Sequence, residues 1–258
     1  MDKSFLSQAN VAAASRDFVC IRLSTYENAE EAEFLSKLYT GRTGQLENSV
    51  FAILSPDGKI PLVKAGRGPQ FAFRNSRGMV DGMKKIAADF KDAKPALSDN
   101  TLPLMASVDL GLNVAACDSL PLIVTIGSDD AQAKQLNKSM VKLAWDKHLA
   151  GQYVFATTSN ATKHLKPITG LTKDAAIAII SPGEFGVSGK VLAQFKADAT
   201  REDIRKAMMS VAARNRHTTK DRKSHNAAGI ALGLDWKTEI PVTDQMSLKA
   251  KERIRGRK

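Results

Sequence analysis

The chain has 258 residues, 43% hydrophobic and 25% charged, which is enough for one large domain or two of about 100–150 residues and too apolar for wholesale disorder. No apolar run reaches the roughly 18 residues of a membrane span, and Met1-Asp2-Lys3-Ser4 does not open a signal peptide, so the chain as written reads as cytoplasmic. The net charge is +11, and residues 214–258, with 12 basic and 5 acidic side chains, carry +7 of it.

In chain order, residues 5–14 read as the end of a helix, residues 17–23 as a strand, and residues 29–39 as a helix with Phe34, Leu35 and Leu38 on its apolar face. An apolar run at 49–54 leads through Ser55-Pro56-Asp57-Gly58-Lys59 to a second run at 60–65. A helix follows, with Met79, Met83, Ile86, Ala87 and Phe90 on one face. Residues 94–103 are polar, carry Pro95 and Pro103 and lack a period, as a linker does, and residues 104–116 are expected to add a strand. The second half then reads βαβαββα. Its strands are expected at 120–126, 152–157, 175–182 and 191–195. Its helices are expected from a cap at Ser128 or Asp129 to about His148, and again around Ile204, Ala207, Met208 and Val211. The two halves share a unit of strand, Ser-Pro turn, strand and helix, offset by 126 positions between Pro56 and Pro182. The second copy inserts Glu184, Phe185 and Gly186 before its Gly189-Lys190 pair.

The βαβαββα order, with an apolar hairpin closed by Pro56-Asp57-Gly58-Lys59 and a C-terminal helix, resembles the thioredoxin fold. Ser4-Phe5, Val11-Ala12-Ala13 and Asp17-Phe18-Val19-Cys20-Ile21-Arg22 are similar to a thioredoxin-like subgroup just downstream of its Cys-x-x-Cys motif. The resemblance implies an α/β protein of two thioredoxin-like domains in tandem, each a mixed central sheet flanked by helices, plus a basic C-terminal extension. One domain is expected at 1–94 without its first strand, a linker with an extra strand at 95–117, a second domain at 118–213 and a basic tail at 214–258. Neither half holds a Cys-x-x-Cys. Gly127-Ser128-Asp129-Asp130 stands at the corner where the family keeps it, and Asn48-Ser49 and Asp174-Ala175 stand where the family has its cis-proline. A missing first strand would leave two inner sheet edges unpaired, each lost hydrogen bond costing about 1–3 kcal/mol. Such an edge invites pairing with another chain, or with residues 104–112, and a natural start upstream would supply the strand, the dithiol and an export signal to the periplasm or exterior.

Cys20, between Val19 and Ile21, is expected to pack in the sheet, and Cys117 to lie nearer the surface; these two are the candidate reactive thiols. His148, His164, His217 and His225 lack zinc spacing, so no metal site or cofactor is implied, and no catalytic set is legible. Lys64-Ala65-Gly66-Arg67-Gly68-Pro69 matches no phosphate-loop pattern and reads as a crossing loop. In the tail, Arg214, Arg216, Lys220, Arg222, Lys223, Lys251, Arg253, Arg255, Arg257 and Lys258 are candidate contacts for a polyanion such as nucleic acid, on a segment expected to be solvated. The first functional expectation is a redox-inactive, thioredoxin-like protein that binds or scaffolds protein partners. The alternatives are a thiol-disulfide oxidoreductase whose dithiol precedes Met1, and a nucleic-acid-associated protein acting through the tail.

Overall fold

A computed structural model describes residues 5–91, 101–215, 221–234 and 238–256. Two units emerge, unit 1 from Met1–Ser98 with Ile230–Lys258 and unit 2 from Asp99–Gly229.

Unit 1 begins with α1 (Ala9–Ala14), a 3₁₀ turn at Ser15–Asp17 and α2 (Ala29–Leu38), whose N-cap Asn28 accepts the Glu31 amide at 3.0 Å. The residues expected as a strand at 17–23 form none. Phe18 turns into the core, while Val19 and Ile21 stay 69% and 66% exposed, because no neighbouring strand takes up their backbone. The hairpin at 51–66 is present only as the bridges Phe51–Gly66 and Leu54–Pro61, supported by Leu62 N–H donating to Ile53 O at 2.7 Å. Its turn closes as the sequence pattern requires. Gly58 sits at φ +74°, and Asp57 accepts from the Ser55 hydroxyl and the Lys59 amide, contacts that hold its carboxyl below the usual range. After it, α3 (Ser76–Asp89) buries Met79, Val80 and Met83 against Val11, Ala14 and Ile53.

Unit 2 is an α/β layer structure around a mixed five-stranded sheet. It opens with α4 (Val108–Asp118), where a strand was expected. Only Leu104 behaves as strand, bridging Phe155 in parallel. From Ser107, which caps the Leu110 amide at 3.1 Å, the apolar positions Val108, Leu112 and Ala115 fall on one helical face. The strands are β1 (Leu122–Ile126), β2 (Val154–Thr158), β3 (Ile168–Thr169), β4 (Ile177–Pro182) and β5 (Gly189–Phe195), in the order β2-β1-β4-β5-β3. β1 pairs parallel with β2 and antiparallel with β4; β5 pairs antiparallel with β4 and parallel with β3. All five residues of β1 are buried, as a strand paired on both edges and covered on both faces must be. One face packs under α5 (Asp130–Ala144) and α7 (Arg201–Arg214) through Met140, Leu143, Ile204 and Met208; the other packs under α4. The short α6 (Ala161–His164) follows β2.

The segment expected as a solvated tail is ordered where it is described. Within it lie α8 (Arg222–Ala231) and α9 (Gln245–Arg255). Ile240 and Val242 pack beside Tyr26, Ala32, Leu35 and Leu46 in the second apolar cluster of unit 1. They are β-branched side chains that gain by leaving water, and the charged residues around them had masked that property.

Candidate functional site

Open α/β sheets present their binding crevices beyond the carboxyl ends of the parallel strands. In unit 2 those ends are Gly127-Ser128-Asp129 after β1 and Thr158-Ser159-Asn160 after β2. Gly127 N–H donates to Thr158 O at 2.9 Å, locking the two corners together, and a Cβ on Gly127 would fall 2.5 Å from Ala133 N and Asp129 O, so only glycine admits this approach. Thr158 is buried, and its hydroxyl accepts the Asn160 amide at 2.9 Å and contacts His164 Nδ1 at 2.8 Å. Asp129 caps α5 by accepting the Gln132 amide at 2.8 Å, while Gln132 Oε1 accepts the Ser128 amide at 2.6 Å. The rim made by Ser128, Asp129, Asp130, Ser159 and Asn160 is exposed and polar and carries no sulfur. The corner offers no thiol for disulfide exchange.

No family model, curated protein or solved structure matches this chain.

The two cysteines belong to different units, Cys20 to unit 1 and Cys117 to unit 2. Cys20 is exposed, with Sγ 3.7 Å from Ser15 O, because the sheet expected to bury it does not form. Cys117 is exposed in the last turn of α4. Among the described residues no cluster of three or more His, Cys, Asp and Glu side chains could hold a metal, and no helix is long and apolar enough to cross a membrane. His148 comes four residues after α5 ends, and its amide donates to Asp146 Oδ1 at 2.9 Å. His225 stacks on Phe185 with ring centres 4.6 Å apart, 3.6 Å from Glu184; His217 falls outside the described residues.

The candidate polyanion contacts are divided between the two units. Arg214 ends α7, donating from Nε to Ser210 O at 3.2 Å; Lys251 and Arg253 lie on α9. Arg222, Lys223 and Arg255 are helical in backbone, whereas Arg216, Lys220, Arg257 and Lys258 lie outside the described residues. Arg67, in the crossing loop, is engaged by carboxylates: Nε lies 2.9 Å from Glu47 Oε2 and Nη2 lies 3.8 Å from Asp244 Oδ2.

Sequence reading missed a second constellation, around Tyr26. Glu239 and Ile240 both donate their amides to Tyr26 O, at 2.8 and 3.1 Å, and Glu239 Oε2 accepts the Ala29 amide at the start of α2 at 2.8 Å. The Tyr26 hydroxyl donates to Leu46 O at 3.1 Å and accepts the Asp244 amide at 3.0 Å; Thr243 donates to Leu46 O at 2.8 Å. Asp244 is buried and caps α9. Burial pushes its carboxyl up, but the amides of Ser247 and Asn48, the Ser247 hydroxyl and Arg67 outweigh that and leave it below the usual range. The only local signal was the alternation Ile240-Pro241-Val242 between two carboxylates.

Proposed function

We propose that the chain is a thioredoxin-like protein that holds protein partners and does not exchange disulfides. Three features of unit 2 support the fold part of this reading: the β1-α5-β2 parallel unit, the β4-β5 hairpin followed by α7, and Leu104 beside the outer edge of β2. The observation that carries the functional part is the β1–α5 corner. Ser128, Asp129 and Asp130 occupy the place where the resemblance puts a dithiol, and Ser128 and Asp129 are bound into the helix cap. A thiol cycle needs a second sulfur within reach of the first.

Two assays on the full chain test this. Insulin reduction driven by thioredoxin reductase and NADPH should run no faster than with the Cys20→Ser/Cys117→Ser chain; turnover abolished by either single substitution would overturn the reading. A photo-crosslinker at Ser159 should trap partner protein more efficiently than one at Glu202 on α7. Equal trapping at both positions would remove the strand-end rim as the binding surface.

A further inference from the structure

We propose that unit 1 carries a peptide-docking groove between α2 and residues 46–50, specific for an acidic-aliphatic segment, and that residues 239–244 of this chain, Glu-Ile-Pro-Val-Thr-Asp, are its displaceable internal occupant. This site is separate from the strand-end rim of unit 2 and stands whether or not that rim binds a partner.

The groove reads its occupant by both backbone and side chain. Tyr26 O takes two consecutive amides, and the Tyr26 hydroxyl takes a third four residues on. One carboxylate, that of Glu239, sits on the Ala29 amide at the N-terminus of α2, a ten-residue helix whose first-turn amides attract negative charge. Ile240 and Val242 reach the apolar floor of Ala32, Leu35 and Leu46, while Pro241 between them stays exposed. Backbone bonds that hold a segment in one register, with apolar contacts for chosen side chains, are the elements of peptide recognition.

The same contacts show why the occupant can leave. Ile240 and Val242 are only half-buried, and the segment is neither helix nor strand, so it is held by separate contacts with no ladder and can open locally without unfolding a helix or sheet. The polar end is unsettled. Arg67 is shared between Glu47 and Asp244, and although its Nε is 2.9 Å from Glu47 Oε2, that buried oxygen accepts no aligned hydrogen bond. Release of Asp244 frees the guanidinium to align fully on Glu47, which offsets part of what is lost. A partner presenting a carboxylate, two β-branched residues at alternate positions and a second carboxylate would take the vacated contacts.

The test uses the full chain and a fluorescent peptide of residues 238–248, with binding read by anisotropy. An internal occupant lowers the apparent affinity in proportion to the open fraction, so the Ile240→Asp/Val242→Asp chain should bind the peptide at least about tenfold more tightly than the unaltered chain. A peptide with the same two substitutions should bind neither chain. In the milder Glu239→Ala/Thr243→Ala chain, which keeps the apolar contacts, the gain should be about threefold or more. Absence of a gain in both variants would overturn the proposal. So would collapse of unit 1 in the first variant, since a displaceable occupant cannot be required for folding.

Discussion

Unit 2 and unit 1 solve the same problem, hiding apolar chain from water, by different routes. In unit 2 every residue of β1 is buried, all five strands pair in ladders, and helices cover both faces. In unit 1 the described residues make two isolated bridges and no ladder, and its second apolar cluster takes Ile240 and Val242 from nearly 200 positions downstream. The contrast shows that a repeated sequence pattern does not guarantee a repeated sheet, since a strand needs a neighbour as well as the right residues.

The largest expected effects come from cutting into the two cores. Ile179, fully buried in β4, should cost about 3–5 kcal/mol when changed to Ala, whereas Ile53 in unit 1, 8% exposed, should cost about 2–3 kcal/mol. Denaturant unfolding followed by Trp145 fluorescence in a Trp236→Phe chain should register the first and respond little to the second. Equal costs would erase the contrast.

Next come two glycines with positive φ. Gly186, at +67°, lies where a Cβ would approach Asn113 Cα at 2.6 Å and Leu112 O at 2.7 Å, both backbone of α4; Gly58, at +74°, has open space around it. Gly58→Ala should cost about 1–2 kcal/mol for the left-handed backbone alone, and Gly186→Ala should exceed it because α4 must also move. Thermal unfolding of the two variants separates the backbone cost from the collision.

Smaller still is a pH effect within unit 2. Hydrogen bonds from Lys196 and Thr172 bring the Asp174 carboxyl down to about 2, and the His148 amide followed by Arg205 lowers that of Asp146. A folded pKa below the unfolded one gives a contribution that is complete above about pH 4 and lost as pH falls through the folded value. Asp174→Asn should therefore flatten the decline in unit 2 stability between pH 4 and 2. Unchanged slopes would show that the Lys196 pair, 2.8 Å long but exposed, contributes nothing. The smallest effect concerns charge: replacing Lys249 and Arg253 by Ser should lower the salt needed to elute the chain from heparin while leaving its unfolding unchanged. Elution at the same salt would place the basic surface elsewhere.

What could be read in the sequence was what local physics decides. Leu122-Ile-Val-Thr-Ile126 is a continuous apolar run bounded by turn residues, and Ser128 or Asp129 marks a helix start that the structure resolves as the Asp129 cap of α5, so both elements fall within a few residues of their expected places. Ser55-Pro56-Asp57-Gly58-Lys59 likewise fixes its turn by itself. Residues 104–116 misled because Leu110, Leu112 and Val114 alternate like a strand, while Val108, Leu112 and Ala115 keep helical spacing; the Ser107 cap decides for the helix. Residues 17–23 misled in the opposite sense, having strand composition without a partner, and that error carried Cys20 into a sheet that does not form. The contacts of Glu239, Ile240 and Asp244 with Tyr26 were illegible because their partner lies more than 200 residues away.

Native-state hydrogen exchange on the full chain measures the difference between the units most directly. The amides of β1 and β4 should exchange last, with unfolding of unit 2 as a whole, and those of Phe51, Leu62 and Gly66 earlier, by a smaller opening of unit 1. Val19, Cys20 and Ile21, whose amides have no acceptor among the described residues, should exchange without measurable protection. Protection of Phe51, Leu62 and Val19 equal to that of Val124 and Ile179 would mean that unit 1 is built on a sheet as continuous as that of unit 2, and would contradict the distinction drawn between them.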